Sequence, residues 1–366
     1  MAEQSSLEDL AVMPPDAEEP AGHLLTEAFD YPLQERMIAQ RPLAERDASR
    51  LLTVRREGST LEDGTFRDLA GLMSPGDVLV LNETWVFPAR LLGQKPTGAA
   101  AEILLIDPID DDDRRWRALV RPGGKLKPGR IVRVAEKLEV EIQDSTEDGA
   151  RIVRLRTPLP PADAIARYGH VPLPPYIRRQ DDESDRSRYQ TVYARERGSI
   201  AAPTAGLHFT ERLLDTIESL GVAIARLTLH VGPGTFRPVE VEDPAEHFME
   251  AERYCVGPVA AEVINRARAR GGAIWAVGTT TVRTLESVVS ADGVIEPGEG
   301  TTDLFIRPGY EFRAVDRLVT NFHLPRSTLL MLVAAFAGYD LTMAAYRHAT
   351  GRGYRFYSYG DAMVVI

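Results

Sequence analysis

The stretch AEILLIDPIDDDDRRWRALVRPGGKLKPGRIVRVAEKLEVEIQDSTEDGARIVRLR, residues 101–156, decides the fold, because it consists of short β-like runs separated by turns. AEILLI, RWRALV, GRIVRV, LEVEIQ and ARIVRLR are divided by Gly, Pro and acidic residues, and none of them has a helical period. Five short strands predict a small β-barrel or sandwich. Since its two flanks have a different pattern, we expect residues 89–159 to be an inserted domain.

The flanks mix strand-like and helix-like runs. GDVLVLNE, residues 76–83, predicts a buried strand, and four helical segments follow the proline-rich connector HVPLPPYIRRQ. Capping residues and terminal Pro or Gly residues mark most of their ends. The four helices are predicted at residues 210–221, 258–272, 280–289 and 327–337. The predicted fold class is a mixed α/β (α+β) core, residues 28–88 and 160–366, interrupted by the all-β barrel.

Length and composition limit the possible functions. A chain of 366 residues favours two domains, and its single cysteine, Cys255, excludes an intrachain disulfide and fits a reducing cytoplasm. The longest apolar run, STLLMLVAAFAG, has 12 residues, whereas a membrane span needs about 18. The N-terminus lacks the pattern of a signal peptide. We therefore expect a cytoplasmic protein, monomeric and without membrane contact.

The net charge of −11 is unevenly distributed. Residues 1–27 contain seven acids and no Lys or Arg, and this Pro-containing tail is predicted to be disordered. RRWRALVRPGGKLKPGRIVR, residues 114–133, contains eight basic residues and no acid. A basic surface for a polyanionic partner is therefore available despite the negative total.

The segment AAPTAGLHFT, residues 201–210, places His208 just before a helix that Thr210 caps. Backbone N–H groups point outward at that end of the helix, so the imidazole would stay neutral and able to act as a base. The alternative is structural: Gly206 makes the turn, and His208 satisfies a backbone carbonyl.

Three further segments combine polar residues with turns. LTLHVGPGTFRPV places His230 after a strand, AVGTTTVRTLES opens a helix with three threonines, and LVTNFHLPRSTLL puts Asn321 and His323 before a helix. Such loops bind ligands in many open sheets, and helix N-termini bind anions. Each segment also has a structural explanation: a tight Gly- and Pro-rich turn, which by itself explains LTLHVGPGTFRPV better, or a helix cap for the other two. The seven histidines and the lone cysteine show no metal-ligand spacing, so no metal site is predicted.

Taken together, these motifs resemble the S-adenosylmethionine:tRNA ribosyltransferase-isomerase family of queuosine biosynthesis, from about Phe29 to the C-terminus. The matching segments are FDYPLQERMIAQRPLAERDASRLL, LVLNETWVFPARL, LPPYI, RYQTVYA, AAPTAGLHFT, LTLHVGPGTFRPV, AVGTTTVRTLES, TDLFIRPGYEF, LVTNFHLPRSTLLMLVAAFAG and YRFYSYGDAM. The resemblance implies an α/β core interrupted by a β-barrel, in agreement with the change of pattern at residue 89.

The resemblance also implies a reaction. The ribosyl part of S-adenosylmethionine is transferred to 7-aminomethyl-7-deazaguanine at the tRNA wobble position and isomerised, giving epoxyqueuosine, adenine and methionine. S-adenosylmethionine is consumed as a substrate, and neither a cofactor nor a metal is needed. The chemistry requires a base for the proton beside the sulfonium, an acid for the departing adenine, and donors around an oxyanion.

On this reading, the acid–base candidates are His208, His230 and His323, with Asp30 steering one of them. We expect the threonines at the helix N-terminus to bind the methionine carboxylate or the ribose hydroxyls, and Arg283 to pair with that carboxylate. The predicted substrate-binding residues are Thr204, Gly206, Gly232, Gly234, Thr235, Gly278, Thr279, Thr280, Thr281, Arg283 and Asn321.

Phosphates of the tRNA would contact basic residues in and after the inserted domain. These residues are Arg114, Arg115, Arg117, Arg121, Lys125, Lys127, Arg178, Arg179, Arg186 and Arg188. A solvated barrel surface is the alternative for the insert. Two positions depart from the family: Glu250 replaces the second His of H-x-M-H-x-E, and Trp85 replaces a residue that is commonly Arg.

Two other functions stay open. A conventional methyltransferase would also bind S-adenosylmethionine, but the sequence has no glycine-rich nucleotide loop after an early strand. A non-catalytic tRNA-binding protein of the same fold would explain the basic residues but not the His, Thr and Gly motifs.

Overall fold

A computed structural model of the chain describes residues 24–236 and 238–366, without the side chains of Thr235 and Phe236. The strands are β1 (Arg50–Arg55), β2 (Thr60–Thr65), β3 (Val78–Asn82), β4 (Thr84–Val86), β5 (Arg90–Gln94), β6 (Ala100–Pro108), β7 (Arg115–Arg121), β8 (Ile131–Ala135), β9 (Leu138–Ser145), β10 (Arg151–Arg156), β11 (Glu196–Ser199), β12 (Ala223–Leu229), β13 (Glu252–Val256), β14 (Ile274–Val277), β15 (Gly298–Thr302), β16 (Arg317–Asn321) and β17 (Ala362–Val365). The helices are α1 (Pro161–Tyr168), α2 (Asp185–Arg188), α3 (Glu211–Ser219), α4 (Pro258–Ala269), α5 (Thr279–Val288), α6 (Thr328–Ala337) and α7 (Tyr339–Gly351).

A nine-stranded mixed sheet forms the core, in the order β15-β13-β12-β3-β14-β16-β17-β1-β2. Its centre is parallel, since β3 pairs in parallel with both β12 and β14. Strand β17 lies between β1, to which it is parallel, and β16, to which it is antiparallel. Strand β3 is buried along its whole length because both sheet faces are covered. Val78 and Val80 pack in the cluster that contains α4 to α7, whereas Leu79 and Leu81 pack in the cluster that contains α3.

The inserted domain is a closed six-stranded barrel in the order β10-β7-β6-β5-β8-β9, with antiparallel pairing throughout. It spans residues 90–156, inside the predicted segment 89–159. The sixth strand, β5, was not among the five sequence runs. Gly93 allows β5 to approach β8, since a Cβ atom there would lie 2.6 Å from the carbonyl oxygen of Arg133. The predicted fold class is confirmed.

The four predicted helices are present as α3, α4, α5 and α6, and their caps follow the sequence signals. Thr210 accepts a hydrogen bond from the Leu213 N–H at 3.1 Å, and Ser327 accepts one from the Leu330 N–H at 3.2 Å. Helices α1, α2 and α7 were not predicted. Within the described residues no single helix is long and apolar enough to cross a membrane; α6 and α7 pass that test only as a pair bent by 116°.

The predicted disordered tail needs a correction at its end. Residues 24–27 belong to the core, because the N–H of Thr26 donates to the Glu242 carbonyl at 2.9 Å. Phe29, which follows soon after this segment, is buried. The apolar Phe29 ring packs edge-on against Tyr339, with ring centroids 5.7 Å apart. Residues 1–23 of the predicted tail lie outside the described residues.

Candidate active site

Two adjacent cavities lie where the core meets the barrel. The first, about 370 Å³, is lined by residues 230–234 and 247–253 of the core and by Asp107 and Arg117 of the barrel; we call it the glycine-rich cavity. The second, about 330 Å³, is lined by Trp85, Phe87 and Trp116; we call it the aromatic cavity. Ile106, Gly198, His230 and Arg253 line both of them. The shared residues make this junction the strongest candidate for a site in which two substrates meet.

His230 stands at the junction because it directly follows β12. Its N–H donates to the Arg253 carbonyl at 2.9 Å, and its Nδ1 lies 2.8 Å from the Thr84 hydroxyl. The ring fits only because residue 198 is glycine: a Cβ atom there would lie 2.8 to 2.9 Å from three ring atoms. Burial, and then the charge of Arg253, lowers the pKa of His230 below its usual 6.5, while Asp107 opposes the shift. A neutral imidazole faces the cavities at neutral pH.

Asn82 positions the residues around His230. Its side-chain amide donates to the Leu229 carbonyl at 3.0 Å and to the Thr280 hydroxyl at 3.2 Å, and its carbonyl oxygen accepts from the Leu229 and Thr84 N–H groups, each at 3.1 Å. One buried side chain thus joins β3, the end of β12 and the start of α5. Sequence reasoning missed Asn82 and Thr84, although both lie in the family motif LVLNETWVFPARL.

Buried charges form one wall of the glycine-rich cavity. Glu252 accepts a hydrogen bond from the Gly232 N–H at 2.8 Å and makes an ion pair with Arg283, and both side chains are almost fully buried. Arg283 also donates to the Thr302 carbonyl at 3.1 Å and the Leu304 carbonyl at 2.9 Å. The guanidinium that we expected to bind a methionine carboxylate therefore holds protein acceptors in this structure.

The remaining charges of this cavity come from both domains. Asp107 lies 3.4 Å from Arg253 of the core and 3.9 Å from Arg117 of the barrel, so it connects the two walls. Gly234 faces Glu250, because a Cβ atom at residue 234 would lie 3.0 Å from the carboxyl carbon. The side chain of Thr235 lies outside the described atoms. Glu250, the departure from the family pattern, is therefore part of the cavity lining.

His208 is buried outside both cavities. Its Nδ1 lies 2.7 Å from the Ser49 hydroxyl, its Nε2 lies 3.0 Å from the Asn321 amide nitrogen, and its ring stacks on Phe66 at 4.9 Å. Burial is the main cause that lowers the pKa of His208 to about 3, with smaller effects from nearby arginines. Both ring nitrogens have side-chain partners rather than the backbone carbonyl of the structural alternative, and His208 lines neither of the two cavities.

His323 and Asp30 are also away from the junction. The Nε2 of His323 lies 2.7 Å from the Thr320 hydroxyl, and burial lowers the pKa of His323 to about 3. Asp30 makes an ion pair with Arg326, whose Nε lies 2.9 Å from a carboxylate oxygen. Asp30 thus pairs with an arginine rather than steering a histidine, and the three candidate histidines are not brought together.

Seven of the predicted substrate-binding residues line neither cavity. Gly278 takes a φ of +86° before α5, and Thr281 donates to the Val277 carbonyl at 2.7 Å. Gly206 packs against Tyr193, whose hydroxyl would lie 2.1 Å from a Cβ atom at that residue. The residues concerned, which are absent from the lining of both cavities, are Thr204, Gly206, Gly278, Thr279, Thr280, Thr281 and Asn321.

The predicted tRNA-binding residues divide into two groups. Arg179 is paired with the buried Asp185 at 2.6 Å, and Arg186 and Arg188 donate to backbone carbonyls at 2.7 to 3.0 Å. Arg114, Arg115, Arg117 and Arg178 also lie in ion pairs with carboxylates. Arg121, Lys125 and Lys127 are exposed on the barrel and are the best placed for phosphates.

Known proteins resemble this chain along nearly its whole length. The family described as queuosine biosynthesis protein matches residues 26–365. An S-adenosylmethionine:tRNA ribosyltransferase-isomerase of Symbiobacterium thermophilum is 55% identical over 340 residues, 92% of this chain and 98% of that protein. One of Moorella thermoacetica is 54% identical over 343 residues, 93% and 99% of the two chains.

A solved structure agrees with these relatives. The crystal structure of S-adenosylmethionine tRNA ribosyltransferase from Thermotoga maritima is 40% identical in sequence, covers 93% of this chain and 100% of its own, and aligns with a TM-score of 0.53. The resemblance inferred from the motifs is thereby confirmed. The chain belongs to the family of queuosine biosynthesis proteins.

Proposed function

We propose that this protein is an S-adenosylmethionine:tRNA ribosyltransferase-isomerase whose active site is the junction at His230. The reaction transfers the ribosyl group of S-adenosylmethionine to 7-aminomethyl-7-deazaguanine in tRNA and releases adenine and methionine. The relatives carry this activity in their names, at 54% and 55% identity. The single observation that supports the location is the neutral, half-buried imidazole shared by two cavities.

His230 is the proposed base for the proton beside the sulfonium. The Thr84 hydroxyl lies 2.8 Å from Nδ1 and 3.5 Å from the Glu196 carbonyl, so it donates to that carbonyl and accepts from the Nδ1 N–H. This tautomer leaves Nε2 with the lone pair that takes the proton. Because burial and Arg253 disfavour the charged imidazolium, His230 then readily passes the proton on.

Charged residues of the glycine-rich cavity match the charges of S-adenosylmethionine. The sulfonium and the ammonium are cations, and Asp107 and Glu250 place carboxylates on the cavity wall. Arg117 and Arg253 bring positive charge for the methionine carboxylate and for the alkoxide that forms when the sugar closes again. On this view Glu250, which stands where the family usually has His, takes part in binding the cationic substrate.

The tRNA is proposed to approach across the barrel face that carries Arg121, Lys125 and Lys127. These side chains are exposed. Phosphate contacts release counterions, so binding should weaken steeply with salt. We also expect the protein to be monomeric and cytoplasmic.

Adenine release tests this function. S-adenosylmethionine is incubated with the protein and tRNA with or without 7-aminomethyl-7-deazaguanine, and adenine is measured by chromatography. We expect adenine only with the modified tRNA, and His230→Gln should reduce its rate about 100- to 10,000-fold. S-adenosylhomocysteine as product would indicate a methyltransferase. Binding of tRNA without any adenine would indicate a non-catalytic RNA-binding protein.

A further inference from the structure

The aromatic cavity is built by both domains. Trp85 belongs to β4 of the core, and Trp116 belongs to β7 of the barrel. The indole N–H of Trp116 donates to the Asp113 carbonyl at 2.7 Å, and its ring lies 5.5 Å from that of Phe87 at an interplanar angle of 38°. Trp116 and Phe87 are buried, and Trp85 is half-buried. These side chains offer a rigid apolar slot for a flat ligand.

Positive charge lies at the same cavity. The guanidinium of Arg197 lies 4.7 Å from the ring centre of Trp85, and the two residues are paired in register between β11 and β4. Arg197 is exposed, and Arg253 lines the cavity as well. Trp85 stands where the family commonly has Arg, so here Arg197 brings a positive charge to this wall from the neighbouring strand.

We infer that the aromatic cavity holds the modified nucleobase of the tRNA, stacked on Trp85, while S-adenosylmethionine occupies the glycine-rich cavity. This assignment rests on the proposed function. A volume of about 330 Å³ is at the low end of ligand pockets, which suits one base. Nucleobases removed from a stacked strand are bound by stacking on aromatic side chains and arginine planes.

Charge distinguishes the deazaguanine from the adenine of S-adenosylmethionine, which is also flat. A base that belongs to tRNA arrives with phosphates on both sides, and the exposed Arg197, which lines the aromatic cavity but not the glycine-rich one, suits those anions. The glycine-rich cavity carries three carboxylates, those of Asp107, Glu250 and Glu252, and three guanidinium groups, those of Arg117, Arg253 and Arg283. Such a mixed lining suits the methionine part of S-adenosylmethionine, which has two cations and one carboxylate. His230 lines both cavities, so the aminomethyl group and the ribosyl carbons meet beside the proposed base.

Binding titrations with three ligands test the inference independently of turnover. Free 7-aminomethyl-7-deazaguanine, an anticodon stem-loop that bears it, and S-adenosylmethionine are each titrated into the wild type and into Trp85→Ala and Trp85→Phe. We expect Trp85→Ala to weaken binding of the base and of the stem-loop about tenfold to a hundredfold, and Trp85→Phe to restore most of it. The Kd of S-adenosylmethionine should stay within threefold. Circular dichroism and thermal unfolding establish that both variants fold.

Three other binding results would overturn the inference. Weaker binding of S-adenosylmethionine with unchanged binding of the base would place adenine in the aromatic cavity. Unchanged Kd values for both ligands would place neither there. A wild type that binds the modified stem-loop no better than an unmodified one would show that no base pocket exists. If adenine release fails while these titrations behave as expected, the reaction is wrong and the base pocket stands.

Discussion

Replacing Gly198 by Ala moves the imidazole of His230 without removing it. The new Cβ atom would lie 2.8 Å from the ring, whereas ordinary contacts begin near 3.4 Å, so the ring has to retreat by at least about 0.6 Å. A misplacement of about 1 Å costs a catalytic group on the order of 100-fold, so we expect kcat to fall about 10- to 100-fold. The backbone at residue 198 has a φ of +149°, which adds about 1–3 kcal/mol of strain to the folded state.

The assay is adenine release with modified tRNA, alongside urea unfolding to measure the lost stability. Gly257→Ala is the matched control, because that glycine has a φ of −70° and nothing lies within 4 Å of a Cβ atom there. The control should keep wild-type kcat. If folded Gly198→Ala also turned over at the wild-type rate, the position of the His230 ring would be irrelevant to the chemistry, and the proposed base would be refuted.

Three further predictions concern the buried His208 and His323 and the exposed lysines of the barrel. His208→Ala should lower the free energy of unfolding by about 3 kcal/mol, because it leaves buried hydrogen-bond partners unpaired, with kcat per folded molecule within threefold of wild type; a large loss of kcat in well-folded protein would return His208 to the active site. His208 and His323 have folded-state pKa values of about 3, below the usual 6.5 of the unfolded chain, so the unfolded state binds more protons. The contribution of these two histidines to the free energy of unfolding should therefore be fully present above pH 6.5. It should fall by about 1.4 kcal/mol per pH unit for each residue as the pH drops toward 3. Urea unfolding at several pH values measures this slope, and His323→Gln should reduce it. Lys125→Ala combined with Lys127→Ala should lower the slope of log Kd against log salt concentration for tRNA by about one unit per lost phosphate contact. Arg347→Ala changes an exposed residue of α7 and should leave that slope unchanged. Equal slopes in the wild type and both variants would argue for another docking face.

Short sequence patterns were sufficient to predict those helices and strands whose formation depends on neighbouring residues. Thr210 and Ser327 cap their helices where the hydroxyls indicated, and the alternation of residues 101–156 predicted the barrel. Helix α7 was missed, since Tyr339 follows α6 after a single glycine and the apolar run that marked α6 ends there. A pattern within a few residues reports backbone conformation well.

Side-chain surroundings need contacts that are distant in sequence. The predicted cap at Thr210 correctly placed His208 just before a helix. The ring, however, is enclosed by Ser49 and Asn321, which are more than 100 residues away in the chain in each direction. The cavities likewise combine Asp107 of the barrel with Arg253 of the core. The hydrophobic periodicity of a sequence does not predict contacts between two domains. The family resemblance therefore indicated the site region better than each motif did by itself.

The place of β17 in the sheet has a consequence for biosynthesis. The barrel is complete once residue 156 has been made, whereas β16 and β1 have no partner between them until residues 362–365 emerge. At about 5–20 residues per second, the ribosome needs roughly 10–40 s for the intervening stretch of about 200 residues. During that time the apolar strand β1 is paired with β2 on one side and has an open edge on the other, so all strands of the barrel are available before the core sheet can close. Nascent chains should therefore depend on chaperone protection in the first strands rather than in the insert.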